Sequence, residues 1–127
     1  MDKRHWTEGD LSLAKGNIVQ HTIFHKEGEN SPASNLRYIE SYSHGSLEAG
    51  TRSLAHVNEG IQEVFFILNG TGILSTPYGE HSISEGDGIL MPPGIEHTII
   101  NNGNITLEFL LVVESIGDKS VVKATKP

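Results

Sequence analysis

The chain has 127 residues, no cysteine and a formal net charge of −7 with its seven histidines counted neutral. Its length suits one domain around one core. The missing cysteines exclude disulfides and thiolate ligands and fit a reducing compartment, and the nine scattered Lys and Arg residues form no basic face of the kind a phosphate backbone requires.

Fourteen glycines and five prolines punctuate short strand-like runs, and no apolar stripe of 3.6-residue period reaches helical length. The expected organisation is a polar arm with edge strands over residues 1–34, a β-rich body over 35–117 and a charged tail over 118–127. The first ten residues carry no apolar core of the signal-peptide kind, and no later apolar run approaches a membrane span. A cytoplasmic protein with no membrane or nucleic-acid partner is therefore expected. Within the arm, His21 and His25 share a face if that stretch is one extended strand. The body opens with the extended run Leu36 to Tyr42, in which Tyr38, Tyr42 and His44 share a face that either lines a pocket or lies on the outside of a sheet.

After a turn at Glu48-Ala49-Gly50 come His56 and Asn58, which share a face if extended. Glu63 lies seven positions beyond His56, an odd separation that one unbroken strand would send to the opposite face. A hairpin turn at Asn58-Glu59-Gly60, with Asn and Gly tolerant of positive φ, would let a strand restarting at Ile61 aim Glu63 back at His56. The run Val64 to Leu68 is apolar on both faces, which predicts cover on both sides, from the interior on one and from a second sheet or subunit on the other. Turns at 69–72, 77–80 and 85–88 separate Ile73-Leu74-Ser75 from Ile89-Leu90-Met91, the latter read as a buried strand. Pro92-Pro93-Gly94 forms a stiff loop presenting His97. Thr98-Ile99-Ile100, a turn at 101–104 and a long apolar strand from Ile105 to Val113 complete the body. His81 follows a turn and is expected at the surface, and Asn101 is read as pinning a turn.

Read as spacings, residues 50–70 give G-x5-H-x-N-x4-E-x6-G and residues 86–101 give G-x5-P-x-G-x2-H-x3-N. The pair resembles the two motifs of the cupin superfamily, which implies an all-β, single-domain jelly-roll β-barrel. The first motif usually carries a second histidine where this chain has Asn58; the second matches throughout. By resemblance His56, Glu63 and His97 are the ligands of one divalent metal ion, Fe(II), Mn(II), Ni(II) or Zn(II). Asn58 is either a weak oxygen ligand or a bystander. Glu63 is the best candidate for a catalytic group, since a displaced carboxylate can take a proton. The implied function is a metal-dependent oxygenase, isomerase, lyase or decarboxylase acting on a small oxygen-rich metabolite. A non-catalytic binding module and a metal-free pocket are the alternatives. The surplus of apolar strand face predicts a homodimer.

Overall fold

The computed structural model describes residues 1–26, 36 and 39–116. Residues 27–35, Arg37, Tyr38 and the tail expected over 118–127 lie outside the described residues. After a short 3-10 turn at Trp6–Glu8, the strands are β1 (Asp10–Ala14), β2 (Ile18–His25), β3 (Ile39–Leu47), β4 (Ile61–Asn69), β5 (Thr71–Thr76), β6 (Gly79–Ser84), β7 (Gly88–Met91), β8 (Thr98–Ile100) and β9 (Leu107–Ser115). They pair antiparallel in two sheets, β1-β2-β3-β9-β4-β7 and β6-β5-β8. This is the all-β jelly-roll arrangement that the motif resemblance implies. No helix among the described residues is long and apolar enough to cross a membrane.

The core lies between the sheets. Phe65 and Ile67 of β4, Leu107, Phe109 and Leu111 of β9 and Met91 of β7 meet Leu74, Ile83 and Ile99 of the smaller sheet. Alternation along β4 sends Glu63, Phe65 and Ile67 inward and leaves Val64, Phe66 and Leu68 outside, where they are 41, 45 and 37% exposed. The expectation that this run is covered on both faces is thus half met among the described residues, because the outward side chains of β4 remain more than a third exposed. The same applies to β7, where Met91 is buried but Leu90 is 57% exposed. The arm does cover part of the outer face. Trp6 stacks on His44 at 4.0 Å between ring centroids and meets His21 edge-on at 5.0 Å.

Gly45 on β3 shows how tightly neighbouring strands of the larger sheet pack on its inner face. A Cβ there would lie 2.4 Å from Cε2 of Phe109, whose ring packs edge-on against Phe65 at 5.5 Å. Neither ring has room to retreat. Gly45→Ala should therefore lower the unfolding free energy by about 1–3 kcal/mol, the scale of an overpacked core. Gly88→Ala, where a Cβ meets nothing within 4 Å, should be close to neutral. Urea titrations of the two variants check this, and equal midpoints would contradict the packing described.

Candidate functional site

His56 and His97 sit opposite one another in an isolated antiparallel bridge. His56 N donates to His97 O at 3.0 Å, and His97 N donates to His56 O at 2.9 Å. Residues paired in this way send their side chains off the same face, and the imidazoles meet at 5.8 Å with planes 88° apart. Gly94, at φ +85°, closes the stiff loop by donating its N–H to Asn58 O at 2.9 Å. The two motifs are thereby stitched through backbone, before any side chain is considered.

The chain then bends at Glu59-Gly60, with Gly60 at φ +71° and its carbonyl accepting from Ile116 N at 3.0 Å. Strand β4 begins at Ile61, so Glu63 points inward. The turn that resets parity is present, but the hairpin expectation needs one correction. His56 to Asn58 is a bridged loop and not a strand, because its backbone is satisfied by Gly94 and His97 instead of by β4.

The side chains form a chain of contacts. His56 Nε2 meets Asn58 Oδ1, Asn58 Nδ2 donates to Glu63 Oε1 at 2.6 Å, and His97 Nε2 lies 3.2 Å from the same oxygen. Asn58, Glu63 and His97 are 5, 3 and 2% exposed. All four residues singled out in the sequence are therefore brought together.

Lys15 joins them, from the turn between β1 and β2. Its Nζ donates to Glu63 Oε1 and Oε2 at 3.1 and 3.0 Å. Its backbone sits at φ +51°, the one left-handed non-glycine residue among those described, a conformation that costs roughly 1 kcal/mol for an L-residue. Sequence reading missed Lys15. The Lys15-Gly16-Asn17 turn is legible between apolar runs, but its reach into the site is a product of tertiary folding.

The electrostatics follow from burial. Loss of water, the largest single influence, pushes the Glu63 carboxyl up. The proximity of His97, the Lys15 charge and the hydrogen bonds from Lys15 and Asn58 outweigh it and bring the pKa from 4.5 down to about 2. His97 Nε2 is close to Glu63 but not aligned for a hydrogen bond, and among the described residues it has no other partner. The well-formed contacts holding Glu63 ionised are thus those of Lys15 and Asn58. An ionised Glu63 only accepts, so the Asn58 amide must turn its N–H to Glu63 and its oxygen to His56. Likewise His97 Nδ1 lies 2.9 Å from the carbonyl of Ile95 and must donate to it. With Nδ1 committed to Ile95, Nε2 is the His97 nitrogen that faces Glu63: carrying a proton it favours the ionised carboxylate, and without one it presents a lone pair that a cation could take.

Other residues singled out fall elsewhere. Asn101, 1% exposed, pins its turn by donating to Leu47 O and Ile105 O, both at 2.9 Å, and accepting from Gly103 N. Tyr42 and His44 lie on the outer face of the larger sheet, lining a hollow of about 660 Å³ beneath the N-terminal residues and away from the histidine pair. Burial, the largest influence, pushes the His44 imidazole down, and Glu108 opposes it. His21 and His25 do not share a face, because the pairing with β3 shifts between Thr22 and Phe24. His21 lies opposite His44, while His25 lies opposite Ser41 and contacts Asp10 at 2.9 Å. His81 is half-buried, with Nε2 enclosed and unpartnered.

The donor set of two imidazoles, one carboxylate and an amide oxygen fits a divalent ion in kind, and the unpartnered, buried Nε2 of His97 is the atom such an ion would engage. As packed, no group of three or more His, Cys, Asp or Glu among the described residues is arranged to hold one. Asn58 stands between His56 and Glu63, and Lys15 covers the carboxylate. A metal ion at His56, Glu63 and His97 would have to displace both contacts.

Comparison with known proteins agrees with this architecture. The family model for the cupin domain matches residues 43–113. No curated protein matches the sequence. Among solved structures, the chain is similar to a predicted oxalate decarboxylase from Thermotoga maritima, with 23% identity over 88% of this chain and 97% of that one and a TM-score of 0.70. A Cupin 2 conserved barrel domain protein from Salinispora arenicola gives 18% identity, 91% and 90% coverage and a TM-score of 0.71. Ectoine synthase from P. lautus gives 14% identity, 91% and 78% coverage and a TM-score of 0.74. At these identities the likeness is one of fold.

The depressed pKa of Glu63 has a consequence for acid stability. In the folded protein Glu63 keeps its charge to about pH 2, whereas an ordinary glutamate takes up its proton near 4.5. Its contribution is complete above about 4.5 and is lost as pH falls toward 2. Glu63→Gln should therefore flatten the decline of the urea midpoint across that window. An unchanged slope would mean that Glu63 is not held ionised.

Proposed function

The chain belongs to the cupin domain family, whose members commonly bind metal, and from that membership we propose that it binds a divalent metal ion through His56, Glu63 and His97 and acts on a small oxygen-rich organic metabolite. The observation that carries this reading is the unpartnered Nε2 of His97, enclosed beside an ionised carboxylate. When bound, a divalent ion would supply Lewis-acid polarisation of a substrate oxygen. Around it, Ile95 fixes the His97 tautomer so that Nε2 faces the site. Asn58 holds Glu63 on one side and His56 on the other. His56, the more exposed imidazole, is placed to exchange a proton with a ligand, and Glu63 is the acceptor available once a cation shifts.

The fold hosts unrelated chemistries, and the similar structures bear this out, one described as a predicted oxalate decarboxylase and another as ectoine synthase. The reading accordingly commits to a ligand class: small, oxygen-rich or charged metabolites. Turnover of a panel of enediols, hydroxy acids and catechols by metal-loaded protein separates an enzyme from a module that only captures its ligand. A second reading, a pocket that works without metal, is favoured by the Lys15–Glu63 ion pair, which neutralises the carboxylate with no ion bound. In that case His56 and His97 act as acid and base.

Calorimetry with Mn(II) and Co(II) tests the ligand set. Asn58→His should tighten binding by about ten- to a hundredfold, the scale on which neighbouring groups alter metal affinity. Glu63→Ala and His97→Ala should each abolish tight binding, since two remaining strong donors rarely hold a labile ion. Equal affinity in the wild type and Glu63→Ala would favour the metal-free pocket.

We also propose a homodimer, formed through the outer face of β4 and β7. Val64, Phe66, Leu68 and Leu90 present apolar surface there that a second copy would cover. Sedimentation at roughly tens of micromolar, a concentration where a stable interface is populated, should show a dimer, and Phe66→Glu should convert it to monomer. A monomeric wild type would contradict the assignment.

A further inference from the structure

Lys15 lies outside both motifs, yet it forms an ion pair with the site's one carboxylate. Its ammonium spans both oxygens of Glu63, the carboxylate that a metal ion held by the two imidazoles would also need. The hairpin tip that carries it is fixed in place. Leu54 N donates to Lys15 O at 2.8 Å, and Asn17 Nδ2 donates to Arg52 O at 2.9 Å, so the turn is fastened to the segment that leads into His56. Accepting a left-handed backbone at a lysine adds to the impression of a placed residue. The two partners differ in freedom. Glu63 is 3% exposed on a central strand, whereas the Lys15 side chain is 16% exposed at the end of a flexible stem and can withdraw into water.

We propose that Lys15 is a built-in counter-cation that competes with metal for Glu63. With no metal bound, its ammonium neutralises the carboxylate and keeps the site closed. A divalent ion that takes up His56, Glu63 and His97 must displace it, and the freed ammonium turns to solvent at the mouth of the site. The exchange is one of cations only, with no covalent bond made or broken. It weakens metal binding and favours ions with strong affinity for a two-imidazole, one-carboxylate set. This inference rests on the metal-binding reading above, and its test separates the two.

Chelator-treated wild type, Lys15→Met and Lys15→Arg are titrated with Zn(II) and Mn(II) by calorimetry. Met keeps the length of the side chain without its charge, so Lys15→Met should bind about tenfold or more tightly than wild type, the scale of a neighbour that tunes a ligand. Lys15→Arg should show no gain. Indistinguishable affinities in wild type and Lys15→Met overturn the competition and leave the metal site standing. Binding by none of the three overturns both. Should Lys15→Met fail to fold, the wild type still decides the matter through amine-directed labelling of Lys15, read by peptide mass spectrometry. Labelling should rise when Zn(II) is added, and labelling that is unchanged by a saturating ion overturns the proposal.

Discussion

A carboxylate with 3% of its surface exposed needs positive charge close by, and the arrangement around Glu63 follows from that need. Removing the carboxylate from water disfavours its ionised form, yet the folded protein keeps it ionised to about pH 2. Parts distant in sequence converge to achieve this: the β1–β2 turn with Lys15, the bridged loop with Asn58 and the stiff loop with His97. Each is fixed by backbone before its side chain acts, through Leu54 N on Lys15, Gly94 N on Asn58 and the reciprocal pair between His56 and His97. The jelly roll supplies the frame in which these loops meet at one end of β4.

The same charge balance links stability to function. Any cation that serves Glu63 stabilises the fold, whether it is the ammonium of Lys15 or a metal ion. A site that neutralises itself in this way can fold before it is loaded. A site left as bare carboxylate and imidazole lone pairs would carry two facing acceptors until an ion arrived. The replacement of a second histidine by Asn58 fits this economy, because the amide donates to Glu63 and accepts from His56, a bridging role that an imidazole fills less well.

Much of this was legible in the sequence. The spacing of Gly50, Gly70, Gly86 and Gly94, all at positive φ, marks turns, and the odd separation of His56 and Glu63 requires the bend found at Glu59-Gly60. What escaped were features decided by contacts remote in sequence. Lys15 reaches Glu63 across 48 positions, and no local pattern announces it. The shift in β2 after Thr22 separates His21 from His25, and strand parity alone assumes an unbroken strand. Apolar residues on both faces of β4 predict cover on both sides, whereas only the inner face is buried among the described residues. Trp6, which stacks on His44 from an arm that reads as polar, is a similar case.

The central claim is that Glu63 is always matched by a cation and that Lys15 provides it when no metal does. Crystal structures of chelated and Mn(II)-soaked protein, with anomalous scattering recorded at the manganese edge, test this most directly. The account predicts the Lys15 ammonium on Glu63 in the chelated protein. In the soaked protein it predicts an anomalous peak beside His97 Nε2, with Lys15 turned to solvent. A chelated structure in which Lys15 already points away and Glu63 has no cation near it would contradict the account.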